Sequence, residues 1–253
     1  MKTSLSFFAI VALVNALTVF CAIAMPKIEF KDDNLQRLAT MFSKSALGRF
    51  TSWQNEVESL SGRPIDDQLY EINNFFNEIP YYTDKEHWGQ SDYWATPVEM
   101  LGTNGGDCED YVIAKYFSLR ALGVPDSKMR MMFVTALRQN QAHMVLAYYP
   151  EPNAIPLILD NINATVLPAS QRQDLLPIYS FDAKNIWLAR DRGRKLKSDS
   201  MVNLPQWRGV NERLGFELKP LAQGAGASNK GANGNTASDS LTDDNVTREK
   251  GEG

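Results

Sequence analysis

The sequence predicts an α+β fold. Three observations carry that prediction: apolar residues at helical spacing through residues 34–79, two strand-like runs joined by a short polar link, and a third apolar run behind a Pro-bearing turn. Helices come first along the chain and an antiparallel sheet follows.

The N-terminal stretch MKTSLSFFAIVALVNALTVFCAIAMPK has one lysine, an apolar run from Leu5 to Phe20 and the small-x-small pattern Ala22-Ile23-Ala24. That is the pattern of a secretory signal peptide, residues 1–24, cleaved after Ala24. A retained membrane helix is the alternative. Phe20 in front of Cys21 is too large for the small residue a lipoprotein signal requires.

From Asn34 to Leu60 the helical periodicity is weak; over PIDDQLYEINNFFNEI, residues 64–79, it is strong. Ile65, Leu69, Ile72, Phe75 or Phe76, and Ile79 share one face, with Pro64 at the start and Pro80 at the stop. A helical lobe over about 30–100 is therefore expected. Residues 81–99 are aromatic and irregular, expected mainly as core and loop anchors, with Trp88, Tyr93 and Trp94 as candidates for one wall of a substrate cleft. Gly102, Gly105 and Gly106 then lead into CEDYVIAKYFSLRALGVP, where Val112, Ile113, Tyr116, Phe117 and Leu119 make a wide apolar face and Gly123 and Pro125 close the helix. Cys108 thus falls in the first turn of a buried helix. MRMMFVTAL (129–137) and HMVLAYY (143–149) predict a hairpin, and PLILD (156–160) a third strand, so a helix–sheet core is expected over about 101–205. The basic run RDRGRKLK (190–197) reads as a solvated face, with a docking patch as the alternative. Residues 222–253, rich in Gly, Ala, Ser, Asn and charge with no aromatic residue, predict a disordered tail after a domain spanning 25–221.

A net charge of −4 argues against nucleic acid as a partner. Only two cysteines occur, and removal of residues 1–24 leaves Cys108 alone, unable to form an internal disulfide. A lone thiol in an exported chain points to a task of its own.

A thiol nucleophile needs a base, and the base needs an orienting partner. The chain has two histidines. His87 lies in the aromatic segment with nothing to mark it. His143 opens a predicted strand, and Asp160 ends the next, so adjacent antiparallel strands bring the pair together. Cys108 at a helix N-terminus, where the helix dipole favours an anion, completes a candidate triad. Yet Asp107, Glu109 and Asp110 crowd the thiol and oppose its ionisation. The backbone N–H of Cys108 is the natural first oxyanion donor, with a side chain from 88–96 as a candidate second.

GTNGGDCEDYVIAKYFSLRALGV, QAHMVLAYY, LILDNINATVLP and PIYSFDAKNIWLAR resemble the bacterial transglutaminase-like cysteine proteinases, the LapG-type periplasmic proteases among them. The resemblance spans about residues 30–205 and implies a papain/transglutaminase-like fold with a triad of Cys108, His143 and Asp160. It implies Ca²⁺ dependence with Asp107, Glu109 and Asp110 as ligands, which answers the charge problem: carboxylates suit calcium, and a bound dication cancels their field. It further implies a periplasmic endopeptidase that cuts a large repeat adhesin near its N-terminus at a di-alanine site, releasing it and dispersing a biofilm. An inner-membrane cyclic di-GMP receptor that sequesters the protease is the implied regulator. Two alternatives stand beside this reading. One is transglutaminase-type acyl transfer, which uses the same triad with an amine in place of water; the other is a non-catalytic calcium-binding interaction module.

Overall fold

The computed structural model describes residues 32–182, 186–188, 194–195 and 204–217. The predicted signal peptide, the predicted tail and most of the basic run 190–197 lie outside the described residues.

Among the described residues five helices precede the cysteine: α1 (Asp32–Met41), α2 (Lys44–Leu60), α3 (Ile65–Asn77), α4 (Asp84–His87) and α5 (Pro97–Thr103). Local chemistry sets their starts. Ser43 caps α2 by accepting the Ala46 N–H, Thr83 and Glu86 form a capping box on α4, and Thr96 and Glu99 form another on α5, with Pro97 at its first position. α4 lies within the stretch 81–99 expected to be irregular and α5 begins in it; their caps, Thr-x-x-Glu in both cases, were the signal.

Helix α6 (Cys108–Ala121) is the axis of the molecule. Residues 110–119 are all buried, Lys115 and Ser118 included, so this helix is covered on every side rather than on the one apolar face the sequence suggests. The reason is its position: α3 and α5 pack on one side and the sheet on the other. Trp53 of α2 donates its indole N–H to Ser118 Oγ at 2.8 Å, satisfying a buried hydroxyl and tying α2 to α6. The early helices therefore share one continuous core with the sheet and do not stand apart as a lobe of their own.

Among the described residues the sheet has seven strands: β1 (Met129–Ala136), β2 (Gln141–Tyr148), β3 (Leu157–Leu159), β4 (Leu167–Pro168), β5 (Leu175–Phe181), β6 (Ile186–Leu188) and β7 (Arg194–Lys195). Their order is β4-β3-β2-β1-β5-β6-β7, and every pairing is antiparallel. The predicted hairpin is β1–β2, in register from Met129–Tyr148 to Ala136–Gln141. Helix α7 (Pro205–Glu217) follows, with Trp207 stacked on Phe117 and edge-on to Tyr116 and Phe181. The mixed helix and antiparallel-sheet architecture is the predicted α+β class.

Candidate active site

The chain approaches Cys108 through a turn that only small residues allow. Gly106 forms a parallel bridge with Tyr81, its carbonyl accepts the Tyr82 N–H at 3.0 Å, and a Cβ on Gly106 would lie 2.6 Å from Asp110 Oδ2. Asp110 in turn accepts the Ala95 N–H at 2.6 Å on one oxygen and the Asp107 N–H at 3.1 Å on the other, pinning the first turn of α6. Cys108 is its first helical residue, partly buried, with Sγ donating to Glu109 Oε2 at 3.0 Å and accepting the backbone N–H of Met144. Burial, then the neighbouring Glu109 and Asp107 carboxylates, push the thiol well above its usual pKa.

His143 stands on β2 opposite Val134, and Asp160 follows directly after β3. Pairing of Leu146 with Leu159 draws the two strands together, and His143 Nε2 lies 2.8 Å from Asp160 Oδ1 with both side chains buried. Asp160 Oδ1 also accepts the Ile162 N–H at 2.9 Å, while Oδ2 accepts from Arg172 Nη2 at 2.6 Å. Burial pushes the Asp160 carboxyl up, but the hydrogen bonds from His143, Ile162 and Arg172 outweigh it and set the pKa at about 2. The Asp160 backbone carbonyl accepts from Asn77 at 2.8 Å, and the Asn77 amide oxygen accepts from Lys115 at 2.7 Å. Complete burial lowers the Lys115 ammonium to about 7 against the opposing attraction of Asp160.

Cys108 and His143 line one cleft of about 770 Å³, whose apolar wall is built by Tyr81, Tyr111, Phe133 and Ile162. No residue of 88–96 lines it, which corrects the expectation for Trp88, Tyr93 and Trp94 and for an oxyanion donor from that stretch. The reason is packing. Trp94 stacks on Phe181 and lies tilted against Phe133 in the core, while Tyr93 donates to Glu99 at 2.7 Å and lies under Arg213. Trp88 packs against Tyr93 and His87.

Beside the thiol the acids form a cluster. Ligating atoms of Asp107, Cys108 and Glu109 lie within 4.8 Å of one another, as do those of Asp84, Asp107 and Asp110 and of Asp84, Asp92 and Glu109. Asp84 Oδ1 and Asp107 Oδ1 are buried without a hydrogen-bond partner. Burial first, then Glu109 and Asp110, push the Asp107 carboxyl up to about 10, and burial also raises Asp84. Orphaned buried carboxylate oxygens on two residues of one cluster are the donor set of a hard cation. Asp110 differs, because both its oxygens already hold backbone N–H groups.

Residues 51–190 match the family of bacterial transglutaminase-like cysteine proteinases, BTLCP. The chain belongs to this family. Among solved structures, EGTA-treated LapG of Legionella pneumophila is 43% identical, over 72% of this chain and 96% of that one, with a TM-score of 0.64. Calcium-bound LapG from the same organism is 43% identical over 72% of this chain and 98% of that one, with a TM-score of 0.63. Comparison with curated proteins finds no match. The proteinase is thus of the cysteine class and of LapG type, with the transglutaminase-like fold.

Four residues of the site escape the sequence reading. Asp84 lies 23–26 positions from the acids it joins, Arg172 twelve from Asp160, and Asn77 and Lys115 on separate helices. Only the Thr83 capping box next to Asp84 leaves a trace in the sequence.

Proposed function

We propose that the proteinase is a calcium-dependent endopeptidase in which Cys108 is the nucleophile, His143 the general base and acid, and Asp160 the group that orients it. The observation that carries this reading is the buried His143–Asp160 pair at 2.8 Å, whose His143 lines the same cleft as a thiol at a helix N-terminus.

With Nε2 bound to Asp160, Nδ1 is the imidazole nitrogen left to take the thiol proton. The thiolate attacks the scissile carbonyl carbon, and the Cys108 backbone N–H stabilises the resulting oxyanion at the positive end of α6. His143 returns its proton to the leaving amine as the C–N bond breaks. It then activates a water that cleaves the thioester and regenerates the thiol.

Asp84, Asp107 and Glu109 would hold the calcium ion, with Asp92 and Asp110 at the margin of the cluster. Bound there, Ca²⁺ supplies the positive charge that offsets the acidic field opposing thiolate formation. Glu109, once committed to the ion, no longer competes for the Cys108 proton. The Legionella structures, one calcium-bound and one EGTA-treated, support calcium as the ion.

The proposal extends to the biological setting that the family resemblance implies: export to the periplasm, a large repeat adhesin cut near its N-terminus at a di-alanine site to disperse a biofilm, and sequestration by an inner-membrane cyclic di-GMP receptor. The test is cleavage of the N-terminal fragment of the host's largest repeat adhesin with calcium, with a chelator, and by Cys108→Ala. Two fragments with a new N-terminus, lost in the last two conditions and restored by calcium after chelation, are expected. Cutting by Cys108→Ala overturns the nucleophile, and cutting under chelation overturns the metal. An isopeptide crosslink in place of cleavage indicates acyl transfer to an amine.

A further inference from the structure

We infer that Arg172 is a fourth, positioning member of the catalytic group, holding Asp160 as an ionised acceptor and thereby fixing which nitrogen of His143 carries the proton. This inference rests on the triad reading above.

Arg172 sits at the end of a short 3-10 turn (Ala169–Gln171) and is 3% exposed. Its Nη2 donates to Asp160 Oδ2 at 2.6 Å and to Asp174 Oδ2 at 2.9 Å, and its Nε donates to Asp174 Oδ1 at 3.0 Å. The Asp174 contact is two-pronged, which fixes the guanidinium plane. Asp174 is partly exposed and serves as the anchor, while Asp160 is fully buried and is what the anchored cation holds. A buried arginine is costly unless its charge is matched. Nη1 is buried with no hydrogen-bond partner, so the site keeps this cation in place at some cost. A smaller or apolar residue would relieve that cost; what it would forfeit is the grip on Asp160.

That grip matters because Asp160 has two oxygens with different tasks. Oδ1 faces His143 and the Ile162 N–H; Oδ2 faces Arg172. Held at both ends, the carboxylate cannot rotate about its last bond, and Oδ1 stays an acceptor that requires a proton on Nε2. Nδ1 is left unprotonated toward the cleft. The groups facing Asp160 are His143 from β2, Arg172 behind the 3-10 turn, the Asn77 amide from α3, and Lys115 from α6, whose charge acts on it from within the core. Lys115 bonds to Asn77 and not to the carboxylate, so it cannot replace the Arg172 contact. Arg172 does not line the cleft, so its effect reaches the thiol only through Asp160 and His143.

The experiment uses the full chain with saturating calcium and needs no protein substrate. Iodoacetamide alkylation of Cys108, located by peptide mass spectrometry, reports the competence of the thiol–imidazole pair. Ring ¹⁵N spectra report the His143 tautomer, with His87→Gln assigning the two histidines. Arg172→Met is expected to slow alkylation about 10–100-fold, the usual cost of losing an outer partner, and to replace the single Nε2–H tautomer with a mixture. Arg172→Lys restores the tautomer and part of the rate. If Arg172→Met does not fold, Asp174→Ala, which frees the guanidinium plane, is expected to slow alkylation severalfold. An unchanged tautomer and rate in folded Arg172→Met, or in Asp174→Ala where Arg172→Met is unfolded, with His143→Ala slow, overturns the role of Arg172 alone. If His143→Ala reacts as fast as wild type, the triad falls and the Arg172 assignment with it.

Discussion

Two carboxylate environments serve one cleft, Asp107 lining it and Asp160 bonded to the His143 that lines it, and they are built on opposite principles. Asp160 is oversupplied with partners: an imidazole, a backbone N–H and a guanidinium hold its pKa at about 2. Asp107, across the thiol, is undersupplied: an oxygen without a partner, two like charges close by, and a pKa pushed to about 10. The first site is complete as the chain folds it. The second leaves carboxylate oxygens unpartnered, which the proposed calcium ion would complete. Cys108 stands between them: its thiol donates to Glu109 on the second side and lines the same cleft as His143 on the first.

Replacing the acid on the complete side has the largest expected effect. Asp160→Asn leaves the pocket filled but removes the acceptor that sets the His143 tautomer, and kcat/KM for adhesin-fragment cleavage should fall about 10³–10⁴-fold. Calcium-induced thermal stabilisation should survive. A loss of both in a folded variant would show that the two sides are not independent.

Asp107→Asn tests the other side. The carboxyl, raised to about 10, must take up a proton to fold at neutral pH without calcium, and the amide need not, so the calcium-free variant should be at least as stable as calcium-free wild type. Stabilisation by calcium, about 2.7 kcal/mol at a hundredfold excess over Kd for an intact site, should largely disappear in a calcium-dependent melt. Full calcium stabilisation in this variant would remove Asp107 from the ligand set.

The two environments also have opposite pH signs. A carboxyl whose folded pKa is raised binds more protons folded than unfolded, so Asp107 contributes stability at low pH that is lost as pH rises from about 4 toward about 10. Asp160, lowered to about 2, contributes stability above about 4 that is lost as pH falls through the folded value. In a chelator, Tm should therefore fall as pH rises from 6 to 9, and calcium should flatten that slope. A rising Tm in chelator would contradict the uncompensated cluster.

The smallest effect is expected from the turn between the two sides. Gly106→Ala places a methyl against the Asp110 carboxylate, a contact costing about 1–3 kcal/mol in urea denaturation. Because Asp110 pins the first turn of α6, calcium affinity should weaken with it; an unchanged affinity would free Asp110 from any link to the metal site.

Much of this was legible beforehand. Helical spacing at Leu69, Ile72 and Phe76, the Cys108 helix and the β1–β2 hairpin follow from period and punctuation, which are local properties. Helix α7 was missed: Trp207, Val210 and Leu214 recur at helical spacing and are buried, but Gly209 and Gly215 weaken the pattern. The narrow strands β4, β6 and β7, two or three residues each, are too short to show a period. The aromatic stretch 88–96 read correctly as core and loop anchors and wrongly only as a candidate cleft wall: aromatic content identifies residues that bury surface, not the surface they bury against.

By itself the sequence determined the α+β class, the α6 N-terminus that carries Cys108, and the residue types that make a thiol site beside an acidic cluster, because those depend on neighbours in the chain. The tertiary structure alone decided that Asp84 joins Asp107 and Glu109, that Arg172 grips Asp160, and that Tyr81 rather than Trp94 faces the cleft. Those contacts close loops of 12 to 27 residues through strand pairing and helix packing, and no periodicity along the chain encodes which distant side chains meet at their ends.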